Sequence, residues 1–312
     1  MQTEFVISAG ERPKRLDVFL VNREPKLSRA ALQRMIDAGW VRINNLPAKS
    51  SRKLKPGDVV MFDSPQPVPL SVNGRMLPLD ILFEDSDCLV VNKPPGIVSH
   101  PGPGHWNDTL LNALLHHVRA TGVGGRIGFV HRLDRDTSGI LLVAKTKEAH
   151  RRLAWQFERH AVTRQYEALV QGVPNPFAGL IDRAIGPDRD GSARASTQTL
   201  RPKFSMTEYS VQQAFGDLAA HVLLVPRTGR THQIRAHLQA IGHSIFGDAT
   251  YGGSRVCPVD GAPVSRVMLH ARRLGFAHPQ TERYCEFHVA APEDFCSLSR
   301  LLGLTMSDTP RV

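Results

Sequence analysis

Cysteine is scarce in this chain. Cys88, Cys257, Cys285 and Cys296 are the four among 312 residues. None forms a Cys-x-x-Cys pair, and spacing this wide suits neither a disulfide framework nor a zinc cluster. The expectation is reduced thiols in the cytoplasm and no metal site. Long apolar runs are missing as well, and nothing approaches the ~20 residues that a membrane helix needs. The stretch MQTEFVISAGERPKRLDVFL lacks the apolar core of a secretory signal. There is no HExxH, and His232 and His237 stand five apart, so the fourteen histidines read as structural or RNA-contacting and not as ligands. Internal repeats and low-complexity tracts are absent. Acidic residues are in deficit, 29 against 39 lysines and arginines, for a formal charge of +10. A chain this basic expects a polyanion, nucleic acid first.

What the sequence does hold is an apolar fraction of 41 %, enough for a sizeable core, and length enough for two units. Residues 1–64 read as a small basic α/β module. LSRAALQRMIDAGWV has Ser28 as N-cap, Leu32, Met35 and Ile36 as an apolar face, and Gly39 as a stop. WVRINNLPA reads as a strand and a turn, and LKPGDVVMF as a Pro-Gly turn and another strand. Between positions 12 and 55, Arg12, Lys14, Arg15, Arg23, Lys26, Arg29, Arg34, Arg42, Lys49, Arg52, Lys53 and Lys55 face only Asp17, Glu24 and Asp37. Such an excess suits a phosphate-facing surface. Residues 65–80, rich in proline and polar residues, read as a linker, and residues 81–312 as the second domain.

In that domain CLVV, LLVAK, RQYEALVQGV, HVLLVPRTGR and RYCEFHVAAP read as strands. TLLNALLHHVRA reads as a helix starting near Asp108 or Thr109. KEAHRRLAWQFERH reads as an amphipathic helix with Leu153, Phe157 and Ala161 on one side. THQIRAHLQAIGH reads as a helix capped by Thr231 and ended by Gly242. Strict βαβ alternation is missing, so the expectation is an α+β fold with a mixed sheet.

Chemistry concentrates in HRLDRDTSGILLVAKT, residues 131–146. Four charges within five positions abut an apolar run. In an extended segment Arg132, Asp134 and Asp136 would share one face, with Leu133 and Arg135 on the other. A carboxylate flanked by arginine stays ionised, which suits a nucleophile or base. The second concentration is RTGRTHQIRAHL, residues 227–238. Arg230, His232 and the free amides of a helix start offer a place for a phosphate. Arg235, beside the apolar row Ile234, Leu238 and Ile241, calls for a carboxylate partner, and Asp134 is the obvious one. Tyr166 lies inside a strand and reads as core or as a ring offered to a base. An Asp-x-Asp-x-Thr phosphatase reading would need magnesium, a helix after the motif and a second acidic cluster. The following segment reads as strand, and the later acids, such as Asp248, are scattered.

HRLDRDTSG resembles the signature of the RluA family of RNA pseudouridine synthases. LVVNKPPGIVSHPG, TRQYEALVQG, TGRTHQIRAHL with the later GD and YGG, and LHARRLGFAHP match that family in order, over roughly residues 80–295. RLDVFL, LSRAALQRMI and KPGD resemble the αL RNA-binding module of a small-subunit ribosomal protein. LRPKFSMTEYSV departs from the family's usual segment and keeps Thr207 and Tyr209.

The resemblance implies a pseudouridine synthase fold with a largely antiparallel sheet, and an isomerase that needs no cofactor. It implies Asp134 as the essential carboxylate, Arg235 as its partner, Tyr166 against the target base, and Arg132 filling the gap left by the flipped uridine. Asp136 becomes secondary. Leu133, Ile234, Arg230 and His232 join the substrate set, and Arg15, Ser28, Arg29, Arg34 and Lys53 the RNA-binding set. Large-subunit ribosomal RNA is the favoured substrate, with transfer RNA as the alternative, and a non-catalytic ribosome-assembly factor as a different class. A monomer is the default.

Overall fold

The computed structural model describes residues 2–9, 14–24, 29–37, 39–63, 74–102, 105–121, 127–189 and 194–304. Two compact units, Met1–Ser71 and Val72–Val312, make up the chain. In the first, β1 (Gln2–Val6), α1 (Leu16–Arg23), α2 (Arg29–Asp37), β2 (Val41–Ile43), β3 (Leu46–Pro47) and β4 (Val59–Asp63) follow in order. The strands form an antiparallel sheet ordered β1-β4-β2-β3. Leu16, Leu20, Leu32, Ile36, Val41, Ile43, Val60 and Phe62 fill the core between helices and sheet. Asn44 and Asn45 turn the β2–β3 hairpin at φ 52° and 67°, the left-handed pair that a two-residue loop requires. β1 has no counterpart in the sequence reading. It is an edge strand whose partner, β4, lies more than fifty residues away, so no local pattern announces it. Ser28, read as a cap, lies outside the described residues.

The second unit contains β5 (Asp80–Glu84), β6 (Cys88–Lys93), α3 (Leu110–Ala120), β7 (Gly128–Phe129), β8 (Ser138–Ala144), α4 (Lys147–Glu158), β9 (Thr163–Gln171), β10 (Ala178–Asp182), β11 (Gly186–Pro187) and β12 (Ala195–Ser196). β13 (Met206–Phe215), β14 (Ala219–Pro226), α5 (Gln233–Ala240), β15 (Leu269–Ala277), β16 (Tyr284–His288) and α6 (Glu293–Leu301) complete it. A ten-stranded sheet runs β10-β13-β14-β9-β15-β8-β6-β5, with β16 on β15 and β7 on β8. All of its pairings are antiparallel except β8 with β15. The expected α+β fold with a largely antiparallel sheet is therefore borne out.

β8 explains the apolar run ILLVA. It is buried along its whole length. Ile140, Leu142 and Ala144 meet α4 through Ala149 and Leu153, while Leu141 and Val143 meet α3 through Leu110 and Leu114. A strand covered on both faces needs apolar residues at every position. Thr146 caps α4, its Oγ1 accepting from the Ala149 N–H at 3.0 Å. Thr109 and Asn112 form a capping box on α3.

β15 escaped the sequence reading because its motif LHARRLGFA is laden with polar residues, although it is central. Tertiary partners satisfy them. His270 lies 2.9 Å from Ser138 Oγ, Arg272 lies 3.6 Å from Glu167, and Arg273 donates to Glu286 at 2.8 Å. Across these strands Gly139 of β8, Ala271 of β15 and Tyr166 of β9 lie abreast. Gly139 sits at φ +113°, and a Cβ there would come within 2.2 Å of the Ala271 carbonyl oxygen. Glycine is therefore required for the sharp entry into β8 beside its parallel neighbour. Of the face expected for α4, Leu153 and Phe157 pack in the core, joined by Ala149 and Gln156, while Ala161 lies beyond the helix and is exposed.

Candidate active site

The loop before β8, the end of α4, strand β9 and the start of α5 enclose a cleft of about 640 Å³. Arg132, Leu133, Asp134, Tyr166, Arg230, His232, Ile234 and Arg235 all line it. Residues more than a hundred positions apart thus converge on one cavity.

The loop is not extended. The Thr137 N–H donates to the Asp134 carbonyl at 3.2 Å, closing a turn, and Arg135 pairs with Asp136 at 3.0 Å. The expected alternation of Arg132, Asp134 and Asp136 on one face fails because a turn rotates Asp136 away toward its own neighbour. Below the turn, buried Lys93 donates to the carbonyls of Pro94, Ile97 and Arg135 at 2.8, 3.0 and 2.9 Å. Burial pushes the Lys93 ammonium down to about 7, against the pull of Asp136 and Asp134. Its three N–H groups clamp the loop after β6 to the Asp134 loop.

Arg235 is buried at 8 % exposure, so the alternative of a guanidinium reaching solvent is excluded. It donates to Asp134 Oδ2 at 3.0 Å. It also makes a two-pronged pair with Asp248 at 2.7 and 2.8 Å, and it lies 4.9 Å from the centroid of the Tyr251 ring. Burial opposes its charge, but the hydrogen bonds and charges of Asp248 and then Asp134 outweigh burial and raise its pKa. Asp248 had looked like one scattered acid among several, and no spacing argument reaches it. The GD of the family pattern was the only sign.

The helix start is also corrected. Its N-cap is His232, at φ 52°, and Thr231 does not serve. The Gln233 side chain instead braces the turn before the helix, its Oε1 accepting from the Arg230 N–H at 3.0 Å and from Thr228 Oγ1 at 2.7 Å. Thr207 Oγ1, one of the two residues kept in the divergent segment, meets Gln233 Nε2 at 3.0 Å and His237 Nδ1 at 2.8 Å. His232 is left with its Nε2 3.7 Å from Asp134 and its Nδ1 3.1 Å from the Tyr251 hydroxyl. That hydroxyl donates to the Ala195 carbonyl at 2.7 Å. Burial lowers the His232 pKa, with Asp134 opposing.

Tyr166 packs between two core clusters, with Leu133 and Ala271 on one side and the β9–β14 core on the other. Burial raises its phenol pKa, Arg164 pulling the other way, so it is a neutral hydroxyl at neutral pH. Leu133 and Ile234 are buried apolar walls, and Arg132 and Arg230 are exposed at the cleft.

His131, named in the motif but given no role by sequence, also lines the cleft. It stacks on Phe157 at 4.6 Å, and its Nε2 accepts from the Leu142 N–H at 2.9 Å.

Among the described residues one group has the donor set for a metal: Asp85, Cys88 and His278, within 4.8 Å of one another. The His278 ring is turned for hydrogen bonding. Its Nδ1 accepts from the Gln280 and Thr281 N–H groups at 3.3 and 3.2 Å, which leaves the proton on Nε2, directed at Asp85 at 2.7 Å. Ligation through Nε2 would require that proton to leave. These residues do not fit a metal well.

In the first unit Arg15 is tied to Asp17 at 3.0 and 3.1 Å, while Lys53 is exposed and pairs with Arg15 through the backbone. Arg29 and Arg34 lie on α2, and nothing is described of their side chains.

Residues 87–240 match the family model described as RNA pseudouridylate synthase, and residues 14–60 match the S4 domain. The chain is 40 % identical over 300 residues to an uncharacterized RNA pseudouridine synthase of Bacillus subtilis, covering 95 % of this chain and 97 % of that protein. The chain belongs to the RNA pseudouridine synthase family. The synthase is also 38 % identical to a protein of Zymomonas mobilis named ribosomal large subunit pseudouridine synthase D, over 93 % of this chain and 94 % of that one. The human RNA pseudouridylate synthase domain containing 1 has a solved structure that aligns with 73 % of the synthase and 89 % of its own chain, at 33 % identity and a TM-score of 0.57. The resemblance read from the ordered motifs is thus borne out for family, fold and activity: the synthase is an isomerase that acts on RNA. No helix among the described residues is long and apolar enough to cross a membrane.

Proposed function

We propose that the synthase isomerises specific uridines of large-subunit ribosomal RNA, with Asp134 as the reacting carboxylate. The observation that carries the assignment is the Asp134–Arg235 pair at 3.0 Å, with Arg235 anchored by Asp248 at the base of a cleft that also holds Tyr166. Relatives named ribosomal large subunit pseudouridine synthase D, from Zymomonas mobilis and Pseudomonas aeruginosa, support the choice of RNA, as does the match to an S4 domain. Work on ribosomal RNA implies a cytoplasmic location.

The reaction breaks the bond between ribose C1′ and base N1, turns the base, and forms a bond between C1′ and C5. The C5 proton is released, with no net oxidation. Asp134 acts at the sugar–base junction. Arg235, held on its far side by Asp248, keeps that carboxylate in one orientation through the whole sequence. Tyr166, a neutral phenol, lays its ring against the base and relays the departing C5 proton, its oxygen taking that proton as its own O–H proton passes to water. Leu133 and Ile234 keep water from the cleaved intermediate. Extruding the uridine costs a few kcal/mol. Arg132 at the cleft mouth fills the space it leaves, and Arg230, His232 and the basic residues Arg15, Arg29, Arg34 and Lys53 of the first unit offset the cost through phosphate contacts.

The test is tritium release from C5-labelled uridine in ribosomal transcripts. Asp134→Asn should abolish release while RNA binding persists. Substantial turnover by the variant would remove Asp134 from the mechanism, and release from transfer RNA alone would replace the substrate.

A further inference from the structure

Helix α4 carries a tryptophan that the chemistry leaves unused. Trp155 is 56 % exposed, although an indole gains more from burial than almost any other side chain. A single exposed aromatic is ordinary. What distinguishes Trp155 is its surroundings.

First, position. Ala154, Phe157, Glu158 and His160 line the same cleft as Asp134. Trp155 is therefore next to one cleft residue along the chain and within one helical turn of Glu158 on the surface. Second, charge. Lys147, Arg151, Arg152 and Arg159 on α4 and its C-cap face only Glu148 and Glu158. Glu148 is shared between Arg151 and Arg152; Arg152 also reaches the Pro279 carbonyl at 2.9 Å and Glu282 at 3.6 Å, while Arg151 has Glu148 as its carboxylate. Third, the ring is held. The Arg159 guanidinium lies 5.8 Å from the Trp155 centroid, a cation–π contact that restrains the indole on the helix surface. An exposed, restrained aromatic among unbalanced cations is the composition of a surface that stacks bases and follows a phosphate chain.

We propose that Trp155 is a stacking platform for an unpaired base of the RNA adjacent to the uridine held in the cleft, with Arg159 and the α4 arginines facing the flanking phosphates. When a uridine leaves its stack, its neighbour loses a partner, and an indole beside the cleft mouth replaces it. The proposal rests on the reading of the cleft as the uridine site.

The full chain carrying W40F and W106F leaves Trp155 as its sole tryptophan. It is titrated with a single-stranded dodecamer of uridylate and with an abasic ribose-phosphate dodecamer. Trp155 emission should be quenched saturably by the uridylate and little by the abasic chain. In the otherwise native chain W155A should weaken binding of labelled uridylate dodecamer about 5- to 150-fold, the range expected for one lost base stack. W155F should recover most of the loss, which a merely electrostatic surface would not produce. Unchanged emission at saturating uridylate, or W155A binding equal to that of the native chain, overturns the platform. The readout needs no turnover, so the two readings fail separately. Silent emission with tritium release intact removes the platform alone, and quenching without tritium release from any transcript removes the uridine reading alone.

Discussion

Arg235 gives two of its nitrogens to Asp248 and one to Asp134. The buried guanidinium is a bridge: its firmer, two-pronged contact is with the acid that faces away from the cleft. Asp248 is 1 % exposed. Asp134, with 21 % of its side chain exposed, is the carboxylate that substrate can reach. The arrangement separates an anchor from a reacting group.

Removing the anchor's charge should therefore slow chemistry. Asp248→Asn keeps the shape and loses the two-pronged ion pair, and Arg235 is then free to shift toward Asp134. We expect kcat to fall about 100-fold, the effect of an ångström-scale misplacement, with KM changed far less. Tritium-release kinetics on ribosomal transcripts, alongside circular dichroism, measure this. A kcat within twofold of native in a folded variant would make Asp248 a bystander.

Gly139→Ala should unfold the centre of the sheet. The added Cβ meets the Ala271 carbonyl at 2.2 Å, at a φ that side chains rarely adopt. The loss should exceed about 3 kcal/mol, the scale of backbone strain combined with a steric overlap in a packed core. Urea denaturation reads it directly, and a midpoint near that of the native chain would contradict the close approach of β8 and β15.

His131 should make stability sensitive to acid. Burial, aided by Arg164, lowers its pKa from 6.5 to about 3, and protonation would cost the bond from the Leu142 N–H. Below about pH 6.5 the unfolded chain takes up a proton that the folded chain refuses. Stability from this residue is therefore complete above that pH and declines toward pH 3, by at most about 1.4 kcal/mol per pH unit. His131→Asn is less stable at pH 7, and its deficit should shrink as pH falls to 5. A deficit that stays constant across that range argues against a buried neutral imidazole.

Deleting residues 1–71 should weaken binding to structured ribosomal RNA and flatten its dependence on salt. Each lost phosphate contact removes about 0.7–0.9 from the slope of log affinity against log salt. Filter binding between 50 and 200 mM salt would show it. An unchanged slope assigns the basic first unit another purpose.

Motifs that carry chemistry in a short span were legible from sequence: the Asp134 loop, the Tyr166 strand, the Arg235 helix and the basic first unit. Each joins a reactive side chain to a local period or turn, so the residue and its element are read together. The pairing of Arg235 with Asp134 was legible too, because a buried guanidinium needs a carboxylate and one was conspicuous.

The tertiary structure decided what local pattern does not encode. It made Asp248 the second partner of Arg235, it turned Asp136 toward Arg135, and it moved the cap of α5 from Thr231 to His232. It also made a polar segment, LHARRLGFA, into a central strand. For Asp248 and for LHARRLGFA the reason is the same. A polar group's fate depends on which partner reaches it across the fold, and that distance is set by packing, while apolar periodicity and turn chemistry are already fixed by neighbours in the chain.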